Sequence, residues 1–157
     1  MKQGFVKVAS ATPRIRVADP VYNAQVICEQ AKEAAEHGAK IVVFPELCIT
    51  GYTCNDLFLQ ELLLEKAKEA LLTIAEETGQ LETLFLVGLP VDKDGRLYNV
   101  AAVLYRGRIL GMIPKKNIPM YAEFYEGRHF TPGEETVTEY RLGKQVIPFG
   151  SNLLFRC

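Results

Sequence analysis

At 157 residues the chain suits one domain, and a hydrophobic content of 48% supplies a packed core, which excludes the disordered class. A net charge of -1, with both signs mixed and no basic stripe, argues against a nucleic-acid partner. No apolar run is long enough to span a bilayer, MKQGFVKVASATP lacks the apolar stretch of a secretory signal, and Cys28, Cys48, Cys54 and Cys157 form no C-x-x-C pair. The expectation is a reduced, cytoplasmic protein without membrane contact, zinc site or disulfide framework.

In chain order, FVKVASA alternates and predicts a first strand over residues 5–11. A helix follows, with Asp19 as N-cap, Pro20 in the first turn and Gly38 as the stop. Ala24, Ile27, Ala31, Ala34 and Ala35 share one face at helical spacing, a small-residue face suited to close packing on a sheet. His37, beside the stop, is expected to be exposed and to complement the helix dipole. KIVVF is apolar without alternation, the pattern of a strand buried on both faces, and ends at Pro45. ELLLEKAKEALLTIAEE predicts a second helix stopped by Gly79, and LFLVGLPV another buried strand. Residues 92–95 (DKDG) signal a hairpin, and LYNVAAVLYRGRILGMIPKK gives two strands about a tight turn at Arg106 and Gly107. Residues 117–139 read as a loop rich in aromatics, Gly and Pro, and QVIPFGSNLLFRC as a further pair of short strands. The order β-α-β-α-β-β-β is parallel α/β followed by a meander, in one domain or part of one. SNLLFRC reads as an apolar strand cut short, so the native chain is expected to continue past Cys157.

Glu46 ends the doubly buried run, where open α/β sheets place their ligand crevice. A carboxylate short of water there can act as a base near neutral pH. The alternative is a Glu that caps or braces the loop. Lys115 and Lys116 close another strand. Either can stabilise an oxyanion or snorkel to solvent, and spacing does not separate them. Tyr52, Tyr121, Phe124, Tyr125 and Phe130 occupy the two loops after these strands, as pocket walls or as packing. Cys48 and Cys54 lie in the turn after Glu46. Neighbours in a turn seldom aim at one atom, and a lone Cys is more often packed than reactive. Cys28 reads as a core residue. His129 has no partner carboxylate fixed by spacing, and Cys157 has no following amides to build an oxyanion hole.

VVFPELCITGY, LVGLPV, LYNVAAVLYRGRILGMIPKKNIP and YAEFYEGRHF, in that order, resemble the nitrilase superfamily of carbon–nitrogen hydrolases. GYTCNDLF and PKKNIPMYAEFYEGRHF are most similar to the glutaminase domain of glutamine-dependent NAD synthetases. The resemblance implies an α/β fold, the α-β-β-α sandwich, of which residues 1–157 are the N-terminal portion, and a homo-oligomer. It implies a Glu-Lys-Cys set. Glu46 matches the general base, and Lys115, ahead of Lys116, matches the lysine that steadies the tetrahedral intermediate. Tyr52, Tyr121 and Phe124 match positions near the glutamine pocket. L-glutamine is the implied substrate, its ammonia serving ATP-dependent amidation of deamido-NAD in a C-terminal synthetase domain absent from this chain. ATP and Mg belong to that absent domain, and no cofactor or metal is implied for these residues. The family's nucleophile, a cysteine followed by an acidic pair after a later strand, has no counterpart here. The chain alone is therefore expected to be inactive and to self-associate through exposed apolar surface and strand edges. A stand-alone amidase of the same superfamily and a catalytically dead binding or scaffold module are the alternatives.

Overall fold

The computed structural model describes residues 4–156. Helix α1 (Pro20–Glu36) begins where the Asp19 side chain accepts a hydrogen bond from the Tyr22 amide at 3.1 Å. Pro20 sits in the first turn, where a missing N–H leaves no bond unmade. Gly38 ends it with φ +82°, the left-handed conformation that glycine adopts without strain. Exposed His37 sets Nδ1 2.8 Å from the Glu33 carbonyl, which also accepts from the His37 amide at 3.1 Å. Helix α2 (Glu61–Glu77) closes on Thr78, whose buried hydroxyl donates to the Ile74 carbonyl at 2.7 Å.

Strand β1 (Val8–Ser10) pairs in parallel with β2 (Ile41–Val43), and β2 pairs in parallel with β3 (Leu84–Lys93). From there the chain runs as a meander through β4 (Arg96–Tyr105) and β5 (Arg108–Pro114). Both connections are two-residue turns with positive φ at each position: Asp94 and Gly95 at 54° and 72°, Arg106 and Gly107 at 48° and 75°. That turn geometry matches the twist of paired strands. Strands β6 (Thr138–Leu142) and β7 (Gln145–Phe149) form a hairpin, with β7 parallel to β5. The result is one seven-stranded sheet in the order β1-β2-β3-β4-β5-β7-β6.

Alternation along these strands sorts their side chains onto two faces. Phe85, Val87, Leu89 and Val91 of β3, with Val100, Ala102 and Leu104 of β4, meet Ile27 and Ala31 of α1 and Leu71 and Ile74 of α2. Each fully buried Leu, Ile or Phe there contributes about 1.5–3 kcal/mol. On the opposite face Leu97 joins a buried cluster with Phe58, Leu63, Leu64 and Phe130, and the rest carries no helix among the described residues. Val43, Leu86, Ala101 and Ile113 line an open trough of about 380 Å³ along it. Leu153 and Phe155 lie across another part of this face, so close to Gly111 that a Cβ there would come within 2.9 Å of both. The described residues thus build one helix layer and one sheet of the sandwich.

Four expectations change. The strand read as buried on both faces is buried on one: Val42 is fully buried, whereas Val43 is 44% exposed on the open face. The first strand is three residues long, because its partner β2 offers only Ile41, Val42 and Val43 for pairing. The last strand pair is shifted upstream. β6 occupies part of the segment read as loop, with Tyr140 and Leu142 buried and Glu139 and Arg141 exposed, and a turn at Gly143 (φ +56°) returns the chain. Residues 152–156 form no strand, and Cys157 lies outside the described residues.

Candidate active site

Glu46 stands on the turn that follows β2. The ladder ends with Phe44 donating to the Leu86 carbonyl at 2.9 Å, and the chain then folds over β3. Ile49 returns to the Gly88 carbonyl at 3.1 Å, and Gly51 donates to the Leu47 carbonyl at 2.7 Å. Gly88 is necessary for this crossing, since a Cβ would meet the Leu47 amide and lie 2.7 Å from the Pro45 carbonyl oxygen. Leu47 is fully buried at φ +53°, a strain of about 1 kcal/mol or more that its packing must offset.

Lys115 lies one residue past β5. Its amide donates to the Asn99 carbonyl at 2.7 Å, and its own carbonyl accepts from Gly133 at 2.8 Å. Gly111, Ile113 and Lys115 alternate onto the open face, where Asn99 and Ala101 also point. Lys116 therefore turns away and pairs with Glu135 on the surface, both side chains being more than half exposed.

The ammonium of Lys115 is held between two carboxylates. It donates to Glu46 Oε1 at 2.7 Å and to Glu126 Oε1 and Oε2 at 2.9 and 2.8 Å. Asn99 Nδ2 also donates to Glu46 Oε1, and the Tyr52 hydroxyl donates to Glu126 Oε1 at 2.8 Å. Glu126 is only 6% exposed, whereas the Glu46 side chain is 42% exposed. Desolvation pulls the Lys115 pKa down, but the hydrogen bonds and charges of Glu126 and Glu46 outweigh it, leaving the pKa above the ordinary lysine value. Burial, with the hydrogen bond and negative charge of Glu126, pushes the Tyr52 phenol up to about 12.

Tyr52 thus joins the cluster. Tyr121 and Phe124 pack edge to face at 5.6 Å on the following loop, Tyr121 largely exposed, and among the described residues neither bonds to Glu46, Lys115 or Glu126 through its side chain. A cavity of about 390 Å³ opens beside Tyr52 and Glu126, lined further by Asp56, Phe58, His129 and Phe130. His129 does have a carboxylate nearby, with Nε2 3.9 Å from Asp56 Oδ1.

The described cysteines stand apart from the cluster. Cys48 is buried with its thiol toward the Gly88 carbonyl at 3.6 Å, and burial raises its pKa to about 12. Cys54 donates to the Thr50 carbonyl at 3.1 Å and is also raised by burial, and burial lifts Cys28 to about 11. Such thiols supply almost no thiolate at neutral pH. Among the described residues, no group of three or more His, Cys, Asp or Glu side chains is placed to hold a metal.

Two members of the cluster had no assigned role in the sequence. Asn99 carried a signal: it is the polar interruption in LYNVAAVLY, and a polar side chain inside a buried strand must find a partner. Glu126 carried only its place in YAEFYEGRHF, where nothing in the spacing marks it as buried.

The glutamine-dependent NAD(+) synthetase of Mycobacterium tuberculosis (strain ATCC 25618 / H37Rv) is 39% identical over 154 residues, covering 98% of this chain and 23% of its own length. A crystal structure of a glutamine-dependent NAD(+) synthetase from Cytophaga hutchinsonii superimposes with a TM-score of 0.87 at 29% identity, over 92% of this chain and 25% of that one. An amidase from Nesterenkonia sp. shares the fold, with a TM-score of 0.68 and 24% identity over 91% of this chain and 54% of its own. The chain spans about a quarter of the length of the curated relatives it matches. The family described as carbon-nitrogen hydrolase matches residues 7–152, nearly the whole chain, and the chain belongs to that family.

Proposed function

We propose that this chain is the N-terminal part of the glutaminase domain of a glutamine-hydrolysing NAD synthetase. The observation that carries the reading is the Lys115 ammonium set between Glu46, just past the parallel strand β2, and Glu126. The likeness to NAD synthetases over nearly the whole chain supports glutamine as the amide.

An amide carbonyl is a weak electrophile, so its hydrolysis calls for a strong nucleophile and for charge stabilisation. Glu46 takes the proton of a cysteine thiol as the sulfur attacks the carbonyl carbon. Lys115 places positive charge where the oxyanion forms. Glu46 then passes the proton to the leaving nitrogen, the C–N bond breaks and ammonia departs. Glu46 next deprotonates the water that cleaves the thioester, giving glutamate and the free thiol. All three N–H bonds of Lys115 have carboxylate acceptors in the resting site. Donation to the oxyanion therefore requires one contact to Glu126 to be released, and Tyr52 holds Glu126 while that happens.

The thiol comes from outside the described residues, since Cys28 is buried in α1 and the buried thiols of Cys48 and Cys54 donate to the Gly88 and Thr50 carbonyls. The whole protein carries a synthetase domain that uses ATP and Mg, assembles as a homo-oligomer and works in the cytoplasm. No helix among the described residues is long and apolar enough to cross a membrane. The test is ammonia release from L-glutamine. The 157-residue chain is expected to release none, and a longer chain that includes the segments its relatives carry beyond the match is expected to release it. Release by the 157-residue chain alone overturns the assignment of the nucleophile. A longer chain that hydrolyses only other amides overturns glutamine as substrate and points to an amidase.

A further inference from the structure

Both donors that reach the Glu46 carboxylate fall on one oxygen. Asn99 Nδ2 and Lys115 Nζ each donate to Oε1, and among the described residues Oε2 accepts no hydrogen bond. We infer that Asn99 is a positioning residue that, with Lys115, fixes the Glu46 carboxylate so that Oε2 stays free to take a proton. The inference rests on the reading of Glu46 as the general base.

Asn99 is well placed for this task. It is 3% exposed, on a strand paired with β3 from Arg96 to Leu104, so its side chain starts from a rigid backbone. It faces the open side of the sheet, as Glu46 and Lys115 do. Its backbone carbonyl accepts from the Lys115 amide at 2.7 Å, so one residue sets the register of the lysine and the rotation of the carboxylate. Lys115 alone cannot hold Glu46 in one orientation, because its ammonium is shared with both oxygens of Glu126. A half-exposed carboxylate with one shared partner is free to turn about its last bonds. Two donors meeting on one oxygen define which oxygen remains available.

Asn99 touches Glu46 and not the reacting bond, so its loss acts on turnover. In a longer chain active on glutamine, Asn99→Asp keeps the side-chain shape and removes the donor, and Asn99→Ala removes both. Each is expected to lower kcat by about 10²-fold while KM stays within about two-fold. Variants that melt like the parent yet keep kcat within about two-fold overturn the inference, as does a loss carried wholly in KM. If the unsubstituted longer chain releases no ammonia, the functional reading fails, and the inference is decided by nuclear magnetic resonance on the 157-residue chain. There the Asn99 side-chain amide protons are expected to exchange slowly with water and to shift in Glu46→Ala. A fast-exchanging Asn99 amide that ignores Glu46→Ala overturns it.

Discussion

The turn over residues 45–51 and the loop over 117–131 each deliver one carboxylate to Lys115, but they are held by different means. The first is fixed through its backbone: Ile49 bonds to the Gly88 carbonyl, Leu47 is buried at positive φ, and Gly88 leaves room for the crossing. Its side chain, Glu46, remains half exposed. The second is the reverse. Its backbone is tied at the ends, by Gly133 to the Lys115 carbonyl and Thr131 to the Leu97 carbonyl, and Tyr121 and Tyr125 on it are exposed. Its buried anchors are side chains: Phe130, packed edge to face on Phe58 at 5.0 Å, and Glu126, held by Lys115 and by Tyr52 just past the first turn. A carboxylate on a rigid turn can stay open to substrate, whereas a carboxylate on a longer loop gains its position by burial and pairing.

The sharpest way to break this difference is at Gly88. Gly88→Ala sets a methyl group against the backbone of residues 45–47, which no side-chain rotation relieves. The expected cost is about 3 kcal/mol or more, with displacement of Glu46 from Lys115. Chemical denaturation measures the first, and the Glu46 side-chain resonances the second. An unchanged midpoint would mean that the turn is not seated on β3 as described.

Lys115→Met comes next, because it leaves Glu126 buried without its cation. About 2 kcal/mol is expected, less than for a fully enclosed pair, since the Lys115 side chain keeps 28% of its exposure. The pH dependence gives the sign. The folded-state pKa of Lys115 is raised, so its contribution is fully present below the ordinary lysine pKa and fades as pH climbs through the higher folded value. The stability gap between the parent and Lys115→Met should therefore hold through neutral pH and close only in strong alkali. The neighbouring Lys116→Met is the control: its pair with Glu135 is exposed, and the change should stay within about 0.5 kcal/mol. A gap of equal size at both lysines would remove the distinction between them.

The same contrast explains what was readable in the sequence. Glu46 could be found because an uninterrupted apolar strand and Pro45 announce a strand end, and strand ends in parallel sheets carry sites. The helices and both glycine hairpins were legible for the same reason: caps and turn residues act within a few positions. Lys115 and Lys116 could not be separated by spacing. The choice depends on which face of the finished sheet carries Asn99, and that is set by the pairing of β4 with β5. Glu126 was beyond reach, because its partner Tyr52 lies 74 positions away and no local pattern marks the meeting. The β6–β7 hairpin was legible in part: Tyr140 and Leu142 alternate with Glu139 and Arg141, but proximity to the loop obscured the period.

Tyr52→Phe gives the smallest expected effect and tests the link between the two segments most directly. Its hydroxyl spans from the rigid turn to the anchor of the loop at 2.8 Å, and the ring is left in place by the substitution. Loss of one hydrogen bond to a carboxylate that Lys115 still holds should cost about 1 kcal/mol. The phenol supplies its own reporter. Burial and Glu126 raise its pKa to about 12, and burial also raises Tyr140, so these two should supply the late step of a near-ultraviolet titration, and that step should shrink in Tyr52→Phe. Because the folded-state value lies above the ordinary tyrosine value near 10, folding stability should fall between about pH 10 and 12 and fall less steeply in Tyr52→Phe. Replacing Glu126 with Gln removes the negative charge and should bring the late step back toward the others. If the late step is undiminished in Tyr52→Phe, Tyr140 accounts for all of it. If it survives Glu126→Gln unshifted, burial alone raises the phenol and the bond between turn and loop contributes little to it.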